Sequence, residues 1–181
     1  MTGFIQQVQI AFETAKTDKG YGHNYQGVYG ILMVDPPDSI LEIGIKNGRS
    51  IKAWQMLFPH AKITGIDYKK QKLVSGIKPF TAIYHDARTH EFTERYDWII
   101  DDGSHQANDI IMAFDRLKDK FNKFYIIEDV RHGATSDRLT RVIEHIEAAG
   151  FNMWFTYKSR LPVYKEKGIE GFALVIVNPD F

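Results

Sequence analysis

The sequence predicts an α/β fold, a doubly wound, mostly parallel seven-stranded sheet with an antiparallel last strand. Three observations carry this. Short apolar runs ending in an acid alternate with segments whose apolar residues share one helical face. Such alternating units build a parallel sheet covered by helices on both faces. The last two strand-like segments are joined without a helix, and parallel neighbours need a longer crossover.

Each element follows from its residues. Phe4, Ile5, Val8 and Phe12 lie on one face of an opening helix. "SILEIG" (39–44) reads as a short buried strand and "SIKAWQMLF" (50–58) as a helix with Ser50 near its start. "KITGID" (62–67) is a second strand, with a helix expected around 69–75. "FTAIYH" (80–85) and "DWIID" (97–101) are the third and fourth strands. "QANDIIMAFDRLKD" (106–119) sets Ile110, Ile111, Phe114 and Leu117 on one helical face, and "FYIIED" (124–129) is the fifth strand. "SDRLTRVIEHIEAAG" carries a capping residue, a stripe of Leu139, Val142, Ile143 and Ile146, and a stop at Gly150. "FNMWFTY" and "FALVIVN" finish the sheet. Residues 17–27 and 158–171 read as irregular. Trp54, Phe58, Trp98, Phe114 and Trp154 occupy core-like positions.

Composition bounds the function. The 181 residues suit a single domain, and 44% apolar residues can build a core. Lys plus Arg and Asp plus Glu are 23 each, which argues against a generic nucleic-acid binder. There is no cysteine, so disulfides and thiolate metal sites are excluded. No apolar run approaches the roughly 18 residues of a membrane span, and "MTGFIQQVQIAFETAK" lacks the apolar segment of a signal peptide. The expectation is a cytoplasmic protein without a membrane partner.

In a doubly wound sheet, ligands sit at the carboxyl ends of the strands, near the switch point. The acids collect there: Glu42, Asp67, Asp86, Asp101, Asp102, Glu128 and Asp129. "LEIGIKNGRS" puts Gly44 and Gly48 in the first strand-to-helix turn, where glycine permits close ligand approach. The spacing is not that of a dinucleotide fingerprint, and Glu42 would repel a pyrophosphate. Glu42 suits an ammonium instead. Asp67 can accept ribose hydroxyls, and Asp86 can accept from an exocyclic adenine amine. Ammonium, ribose and adenine together describe S-adenosylmethionine. One strand on, Asp101 and Asp102 meet Glu128 and Asp129. Adjacent strands lie about 4.8 Å apart, so these carboxylates repel unless a divalent cation such as Mg²⁺, Mn²⁺ or Ca²⁺ joins them. The bland alternative is acids that cap helices or face solvent.

"ILEIGIKNGRS" and "ITGIDY" resemble the first two motifs of class I methyltransferases, a Rossmann-like fold. That resemblance places Glu42, Gly44 and Gly48 around the methionine part, Asp67 at the ribose, and Asp86 with Ala87 at the adenine. "YDWIIDDGSH", "FYIIEDV" and "TDKGYGHNY" further resemble the macrocin and mycinamicin O-methyltransferase family, whose site is similar to that of catechol O-methyltransferases. The resemblance spans about residues 17–135. It implies Asp102, Glu128 and Asp129 as metal ligands and His105 as catalytic base. It also implies that residues 1–30 form a helix and a lid, with Asp18, Lys19, His23, Tyr25 and Tyr29 over the cofactor or substrate. The bland reading of that segment is a flexible connector. Asp101 either contacts the cofactor or braces the loop. The family's proline–glycine–glycine turn before the fifth strand is replaced by "DKFNKF".

The function expected is therefore an S-adenosylmethionine- and metal-dependent O-methyltransferase acting on a small hydroxylated molecule, a sugar or sugar-bearing metabolite. Little inserted material is available for an acceptor pocket. Selectivity is expected from the N-terminal segment, residues 131–136 and 158–171, or a second copy in a homo-oligomer. The alternatives are an enzyme that cleaves S-adenosylmethionine and a non-catalytic S-adenosylmethionine binder. No N-P-P-Y-type motif of amino-methylating enzymes is present; "DDGS" stands at that strand end.

Overall fold

The structure is a computed structural model that describes residues 2–133, 137–159 and 169–181. The expected cap Ser136 and most of the 158–171 connection lie outside these residues. Seven strands form one sheet: β1 (Ser39–Ile43), β2 (Lys62–Asp67), β3 (Thr81–Tyr84), β4 (Tyr96–Asp101), β5 (Phe121–Gly133), β6 (Trp154–Lys158) and β7 (Ile169–Val177). Their order is β3-β2-β1-β4-β5-β7-β6. The strands β1 to β5 pair in parallel. The last strand, β7, runs antiparallel to both β5 and β6, and is inserted between them. The order reverses between β1 and β4, and that reversal is the switch point.

Helices cover both faces. On one side lie α1 (Thr2–Ala15), α2 (Asp18–Tyr21), α3 (Gln26–Leu32) and α4 (Arg49–Leu57). On the other lie α5 (Ala107–Leu117) and α6 (Arg138–Ala148). Strand alternation sorts the side chains between them. Ile40, Trp98, Ile100, Phe124 and Ile126 pack with α1, α3 and α4 through Phe12, Tyr29 and Trp54. Leu41, Ile99, Tyr125 and Ile127 pack with Ile110, Phe114 and Val142 of α5 and α6. Burial on both faces explains why these strands read as continuous apolar runs. Of the expected core aromatics, Trp154 is only half-buried; its indole N–H donates to Glu147 at 3.1 Å.

One expected element is absent. Residues 68–80 form no helix. Leu73 and Ile77 serve as anchors over Gly48. The Val74 N–H donates to Asn47, which holds the irregular path down. Helix α6 ends as its sequence predicts, with Gly150 at φ 94°.

The switch point depends on Gly44. Its φ is 92°, and a Cβ there would collide with the backbone carbonyl of Asp102. Glycine lets the ends of β1 and β4 close on each other, while the Asp102 N–H donates to the Ile43 carbonyl at 3.0 Å. Gly44→Ala is expected to destabilise the protein by at least about 1–3 kcal/mol, the cost of a left-handed non-glycine residue. Urea unfolding measures this, and an unchanged midpoint would refute so tight a crossing.

Candidate active site

Strand parity decides which acids meet. Glu42, Asp102 and Glu128 continue the alternation of Ile40, of Trp98 and Ile100, and of Phe124 and Ile126. All three therefore turn toward the α1–α4 side. Lys19, on α2, enters there and is 1% exposed. Its Nζ lies 2.7 Å from Asp102 Oδ2, 2.6 Å from Glu128 Oε2 and 3.5 Å from Glu42 Oε1. Burial works against the ammonium charge, but Asp102, Glu128 and Glu42 overcome it and hold Lys19 well above the ordinary lysine value. Burial raises Glu128 well above the usual carboxylate range and Glu42 to about 7, with Lys19 pulling both down. The Tyr29 hydroxyl donates to Glu128 Oε1, and Ser50 donates to Glu42 Oε2 at 2.9 Å.

Asp129 departs from simple alternation. A register shift separates Ile127 from Val130, and Asp129 takes φ 57°. Such a bulge re-aims a side chain. Asp129 Oδ1 accepts from the Tyr25 hydroxyl at 2.7 Å and lies 2.7 Å from His23 Nδ1. The Asp129 N–H donates back to the Tyr25 oxygen at 3.1 Å. Burial alone would raise this carboxyl; His23, His105 and Tyr25 outweigh it and hold it below its ordinary value.

His105 closes the arrangement. It follows the D-D-G-S turn with φ 58°, and its carbonyl accepts from Arg138 at 2.8 Å. Its Nε2 lies 3.8 Å from Asp102 Oδ1 and 3.9 Å from Asp129 Oδ2. Each aspartate thus gives one oxygen to the N-terminal segment and one to His105. Asp102, His105 and Asp129 are the group, among the described residues, whose donor atoms lie close enough to share a metal ion. Glu128, expected as a third metal ligand, is not in that group; its Oε2 meets Lys19 and its Oε1 accepts from Tyr29.

These residues open onto a cavity of about 500 Å³, a ligand-sized space. Gly44 lines it beside Asp102, and Asp67, Asp86 and Ala87 line it further on. Asp67 accepts backbone N–H bonds from Lys46 at 3.0 Å and Lys69 at 3.3 Å, one on each oxygen, so each retains capacity for a hydroxyl. Asp86 is held by Arg88, whose Nε and terminal nitrogen bind both its oxygens, and this holds its carboxyl down to about 2. An adenine amine would therefore compete with a guanidinium there. Arg88 continues to Asp109 at 2.5 Å, and Asp109 accepts from Ser104 at 2.6 Å. Glu42 is fully buried beneath the cavity floor and Gly48 lies under Leu73 and Ile77, so neither lines the cavity. Asp18 and Lys46, paired at 3.5 Å, do line it.

The sequence reading gave no role to Arg88, Asp109 or Lys46; Ser104 was expected, with Gly103, to shape the bend between Asp102 and His105. A signal was present for one of them: Arg88 stands two residues after Asp86, close enough to pair. The segment expected as a lid is packed in place, with Tyr25 and Tyr29 fully buried and His23 8% exposed.

The architecture is the class I methyltransferase fold, and the chain resembles the macrocin and mycinamicin O-methyltransferases. No family model matches the chain. It is 34% identical over 109 residues to the 8-demethyl-8-(2-methoxy-alpha-L-rhamnosyl)-tetracenomycin-C 3'-O-methyltransferase of Streptomyces olivaceus. That match covers 52% of this chain, which spans only 28% of the curated relative. It superposes with TM-score 0.60 and 25% identity on the MycE methyltransferase from the mycinamycin biosynthetic pathway, a complex with Mg, SAH and mycinamycin VI, over 68% of this chain and 39% of that one. A Burkholderia thailandensis 1,6-didemethyltoxoflavin-N1-methyltransferase matches with TM-score 0.65 over 98% of this chain and 89% of that one. At 11% identity, that likeness is one of fold alone.

Asp101 yields a test of the site's electrostatics. Its Oδ1 accepts from the Gly103 N–H at 3.2 Å, while Oδ2 is buried with no hydrogen-bond partner among the described residues. Burial pushes its carboxyl from 3.8 to about 7. The folded protein thus keeps a proton that the unfolded chain has released, so this group's contribution to stability is lost as pH rises from about 4 to about 7. Asp101→Asn removes the effect and keeps an oxygen for Gly103. The variant is expected to melt with wild type near pH 4 and above it at pH 8, each pH unit being worth about 1.4 kcal/mol. A variant melting lower at pH 8 would show that the buried charge is required.

Proposed function

We propose that the chain is an S-adenosylmethionine-dependent, divalent-metal-dependent O-methyltransferase acting on a hydroxyl of a small molecule, a sugar or sugar-bearing metabolite. One observation carries this. Asp102 Oδ1, Asp129 Oδ2 and His105 Nε2 converge on the wall of a ligand-sized cavity at the switch point. The likeness to O-methyltransferases of glycosylated natural products supports it. The cytoplasm is the compartment we propose for the chain. Among the described residues, no helix is long and apolar enough to cross a membrane.

The donor set fits a hard divalent cation. Asp102 and Asp129 would hold it with the oxygens that face His105, and Glu128 stands behind them on Lys19 and Tyr29. Such an ion, when bound, lowers the pKa of a hydroxyl it touches. The cavity also fits the methyl donor, which supplies a sulfonium methyl group. Asp67 accepts the ribose hydroxyls. Asp18 and Lys46 match the amino-acid end, one charge for each of its two. Glu42 does not reach that end; it is engaged by Ser50 and Lys19 behind the cavity.

His105 takes the proton of the acceptor hydroxyl. Its Nε2 faces the reacting region, and the flanking Asp102 and Asp129 carboxylates offset the charge of the ion they would hold, so the ring can take a proton beside it. The acceptor oxygen attacks the methyl carbon, and the bond from that carbon to sulfur breaks. The Arg138 bond to the His105 carbonyl and the Ser104–Asp109 bond hold the turn, so alignment is fixed before the acceptor arrives.

Assays of S-adenosylhomocysteine formation over a panel of glycosides test the reading. His105→Ala is expected to lower turnover roughly 100-fold or more while leaving methyl-donor and Mn²⁺ affinities near wild type. Lost Mn²⁺ affinity would make His105 a ligand instead of a base, and unchanged turnover would remove it from the chemistry. Exhaustive chelation is expected to abolish activity and Mg²⁺ to restore it; full activity after chelation would sink the metal dependence.

A further inference from the structure

Lys19 asks for an explanation that the proposed reaction does not give. It donates no proton to substrate and does not line the cavity. Yet its ammonium is 1% exposed and reaches three carboxylates that parity has turned to one side of the sheet. It donates hydrogen bonds to Asp102 and Glu128, and Glu42 Oε1 stands 3.5 Å away as a third opposite charge. Its backbone is fixed at both ends. The Thr17 N–H donates to Phe12 at 3.1 Å, the Tyr25 N–H donates to the Lys19 carbonyl at 2.8 Å, and Gly20 is seated against Phe12. Asp102 is shared: Oδ2 meets Lys19, and Oδ1 faces His105.

We propose that Lys19 is a positioning residue, a tethered cation that permanently holds the Glu42–Asp102–Glu128 pole, so that a divalent ion can occupy only the Asp102–Asp129 face beside His105. The inference rests on the metal-dependent reading above. A buried carboxylate trio without a counter-charge repels itself. Such a trio of hard oxygen donors would itself accept a divalent ion. Lys19 removes that competing position. It also turns Asp102 so that one oxygen remains for the reacting side. The ion is thereby kept next to the base.

Two measurements test this. Wild type, Lys19→Met and Lys19→Arg are titrated with Mn²⁺ by calorimetry, and amine labelling of the native wild type is mapped by mass spectrometry with and without Mn²⁺. Wild type and K19R are expected to take one ion per chain and K19M two, with Lys19 unlabelled in both wild-type samples. If Lys19 becomes labelled once Mn²⁺ saturates the protein, the ion displaces the ammonium and the proposal is overturned. A K19M that still takes one ion, bound tenfold or more tightly, overturns it in the same way. If K19M does not fold, the wild-type labelling decides alone. Wild type that takes no ion while K19M does would end the metal-dependent reading but uphold Lys19 as the resident cation. No ion in either protein would end both.

Discussion

The contact on which the rest of this structure leans is the buried ammonium of Lys19 among Asp102, Glu128 and Glu42. A parallel sheet that brings acids to its carboxyl edge creates a problem of charge before it creates a site. Lone buried carboxylates cost several kcal/mol each unless paired. The sheet contributes no cation at that place, so one must come from elsewhere in the chain. It comes from α2, and this requires the first thirty residues to dock on the sheet. The docking is paid by α1 and α3, whose Phe12 and Tyr29 pack against Trp54. The N-terminal segment is therefore part of the site and of the core together. Tyr29 shows this in one side chain, with its ring in the core and its hydroxyl on Glu128.

Two positions bend the regular sheet into a site. Alternation alone would send Glu128 and Asp129 to opposite faces. The bulge in β5 and the positive φ of Asp129 bring the second acid round to Tyr25 and His105. His105 also has positive φ, beyond a turn that Asp101 ties to Gly103. Strain of this kind persists only where surroundings over-determine it. Here Arg138, Ser104 with Asp109, and the Tyr25 pair supply that determination. Both strained residues belong to the same group of donor atoms.

Much of this was legible in the sequence, and the gaps have physical causes. The strands could be read because burial on both faces makes them apolar runs that end in acids, as in "SILEIG" and "FYIIED". Gly44 could be read because a strand-to-helix turn at a ligand site favours glycine. The expected helix at 69–75 does not form; Leu73 within it and Ile77 beyond it act as two anchors over Gly48. Glu42 was read as a partner for a ligand's ammonium. The chemistry was right in kind, but the ammonium it meets belongs to the chain. Lys19 lies 83 positions from Asp102 and 109 from Glu128, and no local pattern joins them. Parity could have warned of it, since Glu42, Asp102 and Glu128 occupy matching phases of three neighbouring strands. The engagement of Asp86 with Arg88 was missed for another reason: an arginine two residues on competes for the acceptor that an adenine amine would use.

The charge arrangement also bears on how the proposed reaction would run. Methyl transfer from a sulfonium removes a positive charge at sulfur, and deprotonation of a neutral hydroxyl creates one on His105. The positive charge therefore crosses the cavity without leaving it. The far part holds Asp67, with Asp18 and Lys46 at the rim; the near part holds the Asp102 and Asp129 oxygens that would take the ion. A site with carboxylates only at the donor end would bind the donor well and resist losing its charge. Two carboxylates at 3.8 and 3.9 Å from Nε2 offset the two charges of the ion they would hold, so His105 can accept a proton beside it. Those oxygens face the cavity because Lys19, Tyr25 and His23 occupy the others. The buried pairs of the N-terminal segment thus select which oxygen of each aspartate faces the chemistry.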